Sequence, residues 1–109
     1  METLPTGADV VAYLGWPDDY DVLPQADTHA ASVALTARAY TRRRGFSEDG
    51  TEAEDDICAV ILSAAARSLN NPSQDRSVEA GGFRSQPGYF AGWTLAELAI
   101  LNAYRRRAA

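Results

Sequence analysis

Apolar residues in this chain fall into four clusters with helical spacing, separated by polar stretches that carry the turn residues. The first cluster, "ADVVAYL", follows Thr6 and Asp9, a capping-box pair with Asp in place of the usual Glu. It ends near Gly15, the residue type that most easily takes the left-handed closing position of a helix. "WPDDYDVLPQ" then holds two prolines and three aspartates and predicts a loop. A second helix is expected from about Asp27 to Arg44, because Ala30, Val33, Ala34, Ala37 and Tyr40 recur every three or four residues. Arg42, Arg43 and Arg44 would occupy its carboxyl end, where cations favour the macrodipole, and Gly45 would stop it.

Thr51 and Glu54 predict a capping box for the third helix, with the acids between 52 and 56 on its positive end. From Ile57 to Leu69 nearly every residue is apolar or small, the pattern of a helix buried on most faces and therefore central. It should end at "NNP", since the residue before Pro72 resists helical geometry. The fourth helix is expected to start at a Thr94–Glu97 cap and to turn Leu95, Leu98, Ala99 and Leu101 inward.

Between the third and fourth helices, over about residues 72–93, the periodicity fails. "SVEAGGFRS" reads as two strand-like arms around Gly81-Gly82, a pair that accepts positive φ at both positions. A lone two-stranded hairpin is marginal in water, so this one is expected to lean on a neighbouring copy. The predicted fold is mainly α: one domain over residues 1–109, four helices and a short β-hairpin insert between helices 3 and 4.

Composition narrows the picture. A chain of 109 residues makes one domain with a thin core, and abundant alanine favours close helix packing. Net charge is −5, and all ten basic residues are arginine. Overall acidity argues against a general nucleic-acid binder, but the charge is segregated: Arg42–Arg44 and Arg105–Arg107 are clusters, and Glu48–Asp56 is acidic. A single cysteine excludes an internal disulfide framework and a cysteine zinc cluster. "METLPTGADVV" lacks the basic and apolar regions of a signal peptide, and "AVILSAAA" is far short of the ~20 residues that span a bilayer. The expectation is a soluble chain in the cytoplasm of the cell that makes it.

Candidate chemistry is sparse. His29 stands without a second His or Cys and reads as a surface or cap residue, and Cys58 on an apolar helix face reads as a buried, inert thiol. "DDYD" lacks the glycine and twelfth-position Glu of a calcium loop. No phosphate loop, nucleophile elbow or paired-carboxylate arrangement is present, so neither an enzyme nor a cofactor is expected. The arginine clusters each close a helix, which accounts for them electrostatically; the same residues suit an acidic partner surface or DNA phosphates. Of the aromatics near the insert, Trp93 is assigned to the core, while Phe83 and Tyr89 would either plug its edge or anchor an interface.

The order of a short helix, a long helix, an apolar helix closing in "NNP", then "RS…GGFRS…Y" and "TLAELAILNAYRR", resembles the head-to-tail connector (adaptor) proteins of long-tailed double-stranded DNA bacteriophages. The resemblance runs from about residue 7 to 107. It is carried by Asn71-Pro72, Arg76-Ser77, Gly82, Ser85, Tyr89, Leu95, Glu97, Leu98, Leu101 and Tyr104-Arg105. It implies a virion structural protein that catalyses nothing and forms a homo-oligomeric ring, typically a dodecamer. Such a ring docks under the portal protein, meets a stopper or tail-completion protein on its other side, and passes DNA without reading its sequence. It also implies subunit or portal contacts through the hairpin residues Ser77, Val78, Gly81, Gly82, Phe83, Arg84 and Tyr89, and through Tyr104, Arg105, Arg106 and Arg107. This chain stops soon after its last helix, whereas some relatives continue into a longer tail.

A ring subunit needs two different, complementary faces, since head-to-tail contacts close by rotation. The Arg42–Arg44 end and the Glu48–Asp56 segment are candidates for them, unless they pair within one subunit. The alternative function is a small helical nucleic-acid-binding regulator that uses the arginine clusters on phosphates. Against it stands the insert, since a helix-turn-helix protein has only a short turn between its last helices.

Overall fold

The chain forms four helices and one small antiparallel sheet in a computed structural model that describes residues 1–17, 21–70 and 92–106. The elements are β1 (Glu2–Thr3), α1 (Gly7–Leu14), α2 (Leu23–Tyr40), β2 (Glu52–Ala53), α3 (Asp55–Leu69) and α4 (Leu95–Arg106).

Helix α3 is central because its sequence leaves it little polar surface to show. Ile57, Cys58, Val60, Ile61, Ala64, Ala65, Ala66 and Ser68 are all buried, and α1, α2 and α4 each pack against it. On α2 the buried residues are Ala26, His29, Ala30, Val33, Ala34 and Ala37, a single stripe of three- and four-residue steps. Alanines on that stripe face the small residues of α3, so the two backbones approach closely. Val10, Val11 and Leu101 complete the core from α1 and α4.

The expected cap of α1 is present: Thr6 and Asp9 bond reciprocally, and Gly15 closes the helix at φ 74°. Helix α2 instead lies one turn earlier than its expected span, beginning within the stretch read as loop and ending at Tyr40 rather than Arg44. Pro24 sits in its first turn, where a missing N–H costs nothing, so it starts the helix rather than breaking it. At the other end the Arg43 amide donates back to the Arg38 carbonyl at 2.8 Å, and Arg42 and Arg43 take left-handed φ values of 58° and 70°. The arginine cluster therefore forms the turn after α2 rather than its last turn.

The expected Thr51–Glu54 box is absent. Glu54 is itself the residue flanking α3 and makes no side-chain cap, while the Thr51 amide and hydroxyl both donate to Asp49. The cause is tertiary: residues 52 and 53 are drawn into pairing with the amino terminus, Glu2 opposite Ala53 and Thr3 opposite Glu52. This sheet precedes α3. The predicted hairpin, with Ser77, Val78, Gly81, Gly82, Phe83, Arg84 and Tyr89, lies outside the described residues, as do Asp18, Asp19 and Arg107.

His29 is not on the surface. It occupies the buried stripe of α2, and its Nδ1 lies 2.8 Å from the Ser68 hydroxyl of α3. Helix α4 has its expected cap, with the Thr94 amide donating to Glu97 and the Glu97 amide to the Thr94 hydroxyl. Its inward face differs from expectation: Glu97 and Leu101 are buried, whereas Leu95 is 86% exposed and Ala99 is exposed. Leu95 and Ala99 are each two residues from Glu97, about 200° around the helix, so fixing Glu97 inward turns both outward. Trp93 packs half-buried against the core, as expected.

Candidate functional site

Two contacts fix the direction of α4. Tyr104 donates to Asp56 at 2.7 Å and Ser63 donates to Glu97 at 2.6 Å, so α4 runs antiparallel to α3. Helix α2 is antiparallel to α3 as well, with His29 beside Ser68 near one end and Gly45, past α2, against Ile57 near the other. The carboxyl ends of α2 and α4 thus meet beside the amino end of α3, which brings together arginines more than sixty residues apart in sequence.

This arginine end is built from identifiable contacts. The Tyr40 hydroxyl donates to Asn102 at 2.6 Å, and the Arg105 guanidinium lies 4.7 Å from the centre of the Tyr40 ring, within cation–π range. Tyr104 packs against Gly45, whose φ of 82° and lack of a side chain are both required, since a Cβ there would overlap Ile57 and Tyr104. Burial and then the Asp56 carboxylate push the Tyr104 hydroxyl up to about 12, so it stays a donor. Arg42, Arg43 and Arg44, just before Gly45 in the chain, are exposed. None of the three makes an ion pair with the acids from Glu48 to Asp56, so the possibility that these segments neutralise each other within one subunit is not realised. Arg106 ends α4; Arg107 lies outside the described residues.

The opposite end holds its charge differently. Glu97 is 5% exposed and receives both terminal nitrogens of Arg67 at 2.9 Å, the Ser63 hydroxyl and the Thr94 amide. Burial pushes its carboxyl up, but the Arg67 guanidinium, the Ser63 hydroxyl and the Thr94 amide outweigh it and hold the group at about 2. Arg67 also donates to the Gly92 carbonyl at 2.8 Å, which ties the end of α3 to the chain just before α4. The sequence places Glu97 in a cap but does not by itself pair it with Arg67. A signal for Arg67 was available: it is the sole charged residue in the apolar run from Ile57 to Leu69.

Of the residues expected at interfaces, the structure gathers Arg42, Arg43, Arg44, Tyr104 and Arg105 at one end, with Tyr104 and Arg105 already engaged within the subunit. The insert leaves and rejoins the described residues at Asn70 and Gly92, at the latch end. Cys58 is buried, and burial raises its thiol, which keeps it protonated and unreactive. Among the described residues no group of three or more His, Cys, Asp or Glu side chains could hold a metal ion, and no helix is long and apolar enough to cross a membrane. No family model, curated protein or solved structure matches the chain.

Proposed function

We propose that this chain is a virion structural protein, a ring-forming head-to-tail adaptor that docks under a phage portal and extends the DNA channel toward the tail. One observation carries the reading: among the described residues the exposed arginine turn, Arg42–Arg44, makes no ion pair, while the exposed acids Glu2 and Asp55 line a groove beside β1 and α3. Unsatisfied opposite charges on one protomer suit head-to-tail association, which closes into a ring when the rotation permits. A mainly helical subunit whose insert springs from the end opposite the arginines is consistent with three sets of neighbours: other copies, the portal, and a stopper or tail-completion protein. In this reading the segment between α3 and α4 is a hairpin that contacts a neighbour, and the acidic surface keeps DNA sliding rather than bound.

Light scattering over a concentration series, alone and with the portal assembly of the same phage, tests the proposal. A ring, or a complex formed on the portal, is the expected result. A monomer indifferent to portals at every concentration overturns it. The closeness of Arg105 to the Arg42–Arg44 end also favours a second reading, a regulator that grips phosphates with this end. That reading requires duplex binding that falls steeply with salt.

A further inference from the structure

On the face formed by β1, α1 and α3 runs a shallow groove of about 590 Å³. Glu2, Asp9 and Asp55 line it, Asp9 with its carboxylate engaged in the α1 cap, and Tyr13, Ala59 and Leu62 supply its apolar part. Tyr13 is 58% exposed, an unusual position for a large aromatic with no function in the core. The combination matches an arginine side chain piece by piece. Carboxylates accept the guanidinium fork, a tyrosine face receives it by cation–π attraction, and an apolar strip covers the methylene stem.

Asp55 faces this groove, while its neighbour Asp56 bonds Tyr104 at the arginine end. Successive residues point about 100° apart on a helix, so the groove and the arginine turn look out from different sides of α3. Meanwhile Arg42, Arg43 and Arg44 are exposed and make no ion pair among the described residues. We propose that the groove is the receiving half of the contact between copies, and that its occupant is the Arg42–Arg44 turn of a second copy of this chain. The inference rests on the ring-forming reading above and assigns its two faces.

A charge swap tests it. One variant carries Arg42→Glu, Arg43→Glu and Arg44→Glu; the other carries Glu2→Arg and Asp55→Arg, sparing Asp9 because it caps α1. Each variant alone should need at least about tenfold more protein to associate than the wild type, since like charges then face each other across the contact. Mixed one to one they should associate again, because each acidic turn meets a basic groove and each native turn meets a native groove. Recovery on mixing also shows that both variants are folded. A wild type that never self-associates removes the ring reading and this contact with it. A wild type that associates while either variant does so equally well, or a mixture that fails to recover with both variants showing native circular dichroism, overturns the groove assignment and leaves the ring reading standing.

Discussion

The two ends of this bundle treat arginine in opposite ways. At the latch end, Arg67 spends its hydrogen bonds on a buried carboxylate and on the Gly92 carbonyl, and joins α3 to the start of α4. At the other end, Arg42, Arg43 and Arg44 stand exposed on a turn in which two of them hold left-handed backbone, at a cost of about 1–2 kcal/mol per residue. Arg67 is half-exposed, but both its terminal nitrogens are bonded to groups of the fold, one of them a buried acid. The Arg42–Arg44 turn leaves the fold no better off, and its strained backbone has a use only in the proposed contact outside the subunit. The same residue type is thus structural at one end and, in the proposed function, a contact residue at the other.

The contrast breaks most decisively at Arg67. Replacing it with alanine leaves Glu97 buried without its cation, which should cost about 3 kcal/mol and lower the melting temperature by about 10 °C or more. Urea and thermal unfolding read this directly. A loss below about 1 kcal/mol would mean that the pair behaves as a surface ion pair and that the two ends do not differ in kind.

Acid should open the same end next. The Glu97 carboxyl is held at about 2 against an ordinary 4.5, so its contribution is complete above about 4.5 and fades as pH falls toward 2. The expected loss is on the order of 2 kcal/mol across that window, measured by unfolding at a series of pH values. Glu97→Gln should flatten this slope. If the acid slope of that variant equals the wild type's, other carboxylates govern the transition.

The arginine end should respond with the opposite sign. Arg43→Gly relieves left-handed backbone at φ 70° without removing an ion pair, and is expected to stabilise the subunit by about 0.5–1 kcal/mol. The same change should weaken association between copies. Destabilisation by Arg43→Gly, seen as a lower urea midpoint, would assign the arginine turn to the fold rather than to its surface.

These differences also show what could be read from residue order. Local signals succeeded where one segment settles the outcome: the Thr6–Asp9 and Thr94–Glu97 caps, the Gly15 stop and the apolar run of α3 are all in place. They failed where a distant segment intervened. The acids before α3 resemble a capping box, but the chain's own amino terminus claims residues 52 and 53 as a strand partner. Leu95 resembles a core residue until Glu97, two positions on, is committed to Arg67 thirty residues earlier. His29 is the instructive intermediate case. It continues the spacing of Ala26 and Val33 into the buried stripe, but a polar residue type concealed the pattern. The meeting of the Arg42–Arg44 turn with the α4 end that carries Arg105 follows from the antiparallel course of α3, which no local pattern encodes.

The smallest effect belongs to Tyr104, which ties the arginine end to Asp56. Burial and that carboxylate hold its hydroxyl at about 12, above the ordinary 10, so the contact stabilises below pH 10 and is lost as pH rises toward 12. Tyr104→Phe should cost only about 0.5–1 kcal/mol, because Asp56 is exposed and recovers water in place of the lost donor. The sharper readout is spectroscopic. Ultraviolet titration of the chain's five tyrosines should show a phenolate forming near pH 12, and Tyr104→Phe should delete that component. If the high-pH component survives, the Tyr104 hydroxyl does not hold its proton against Asp56. The carboxyl end of α4 would then be free to move, and the arginines gathered there would have no fixed frame to present to a neighbour.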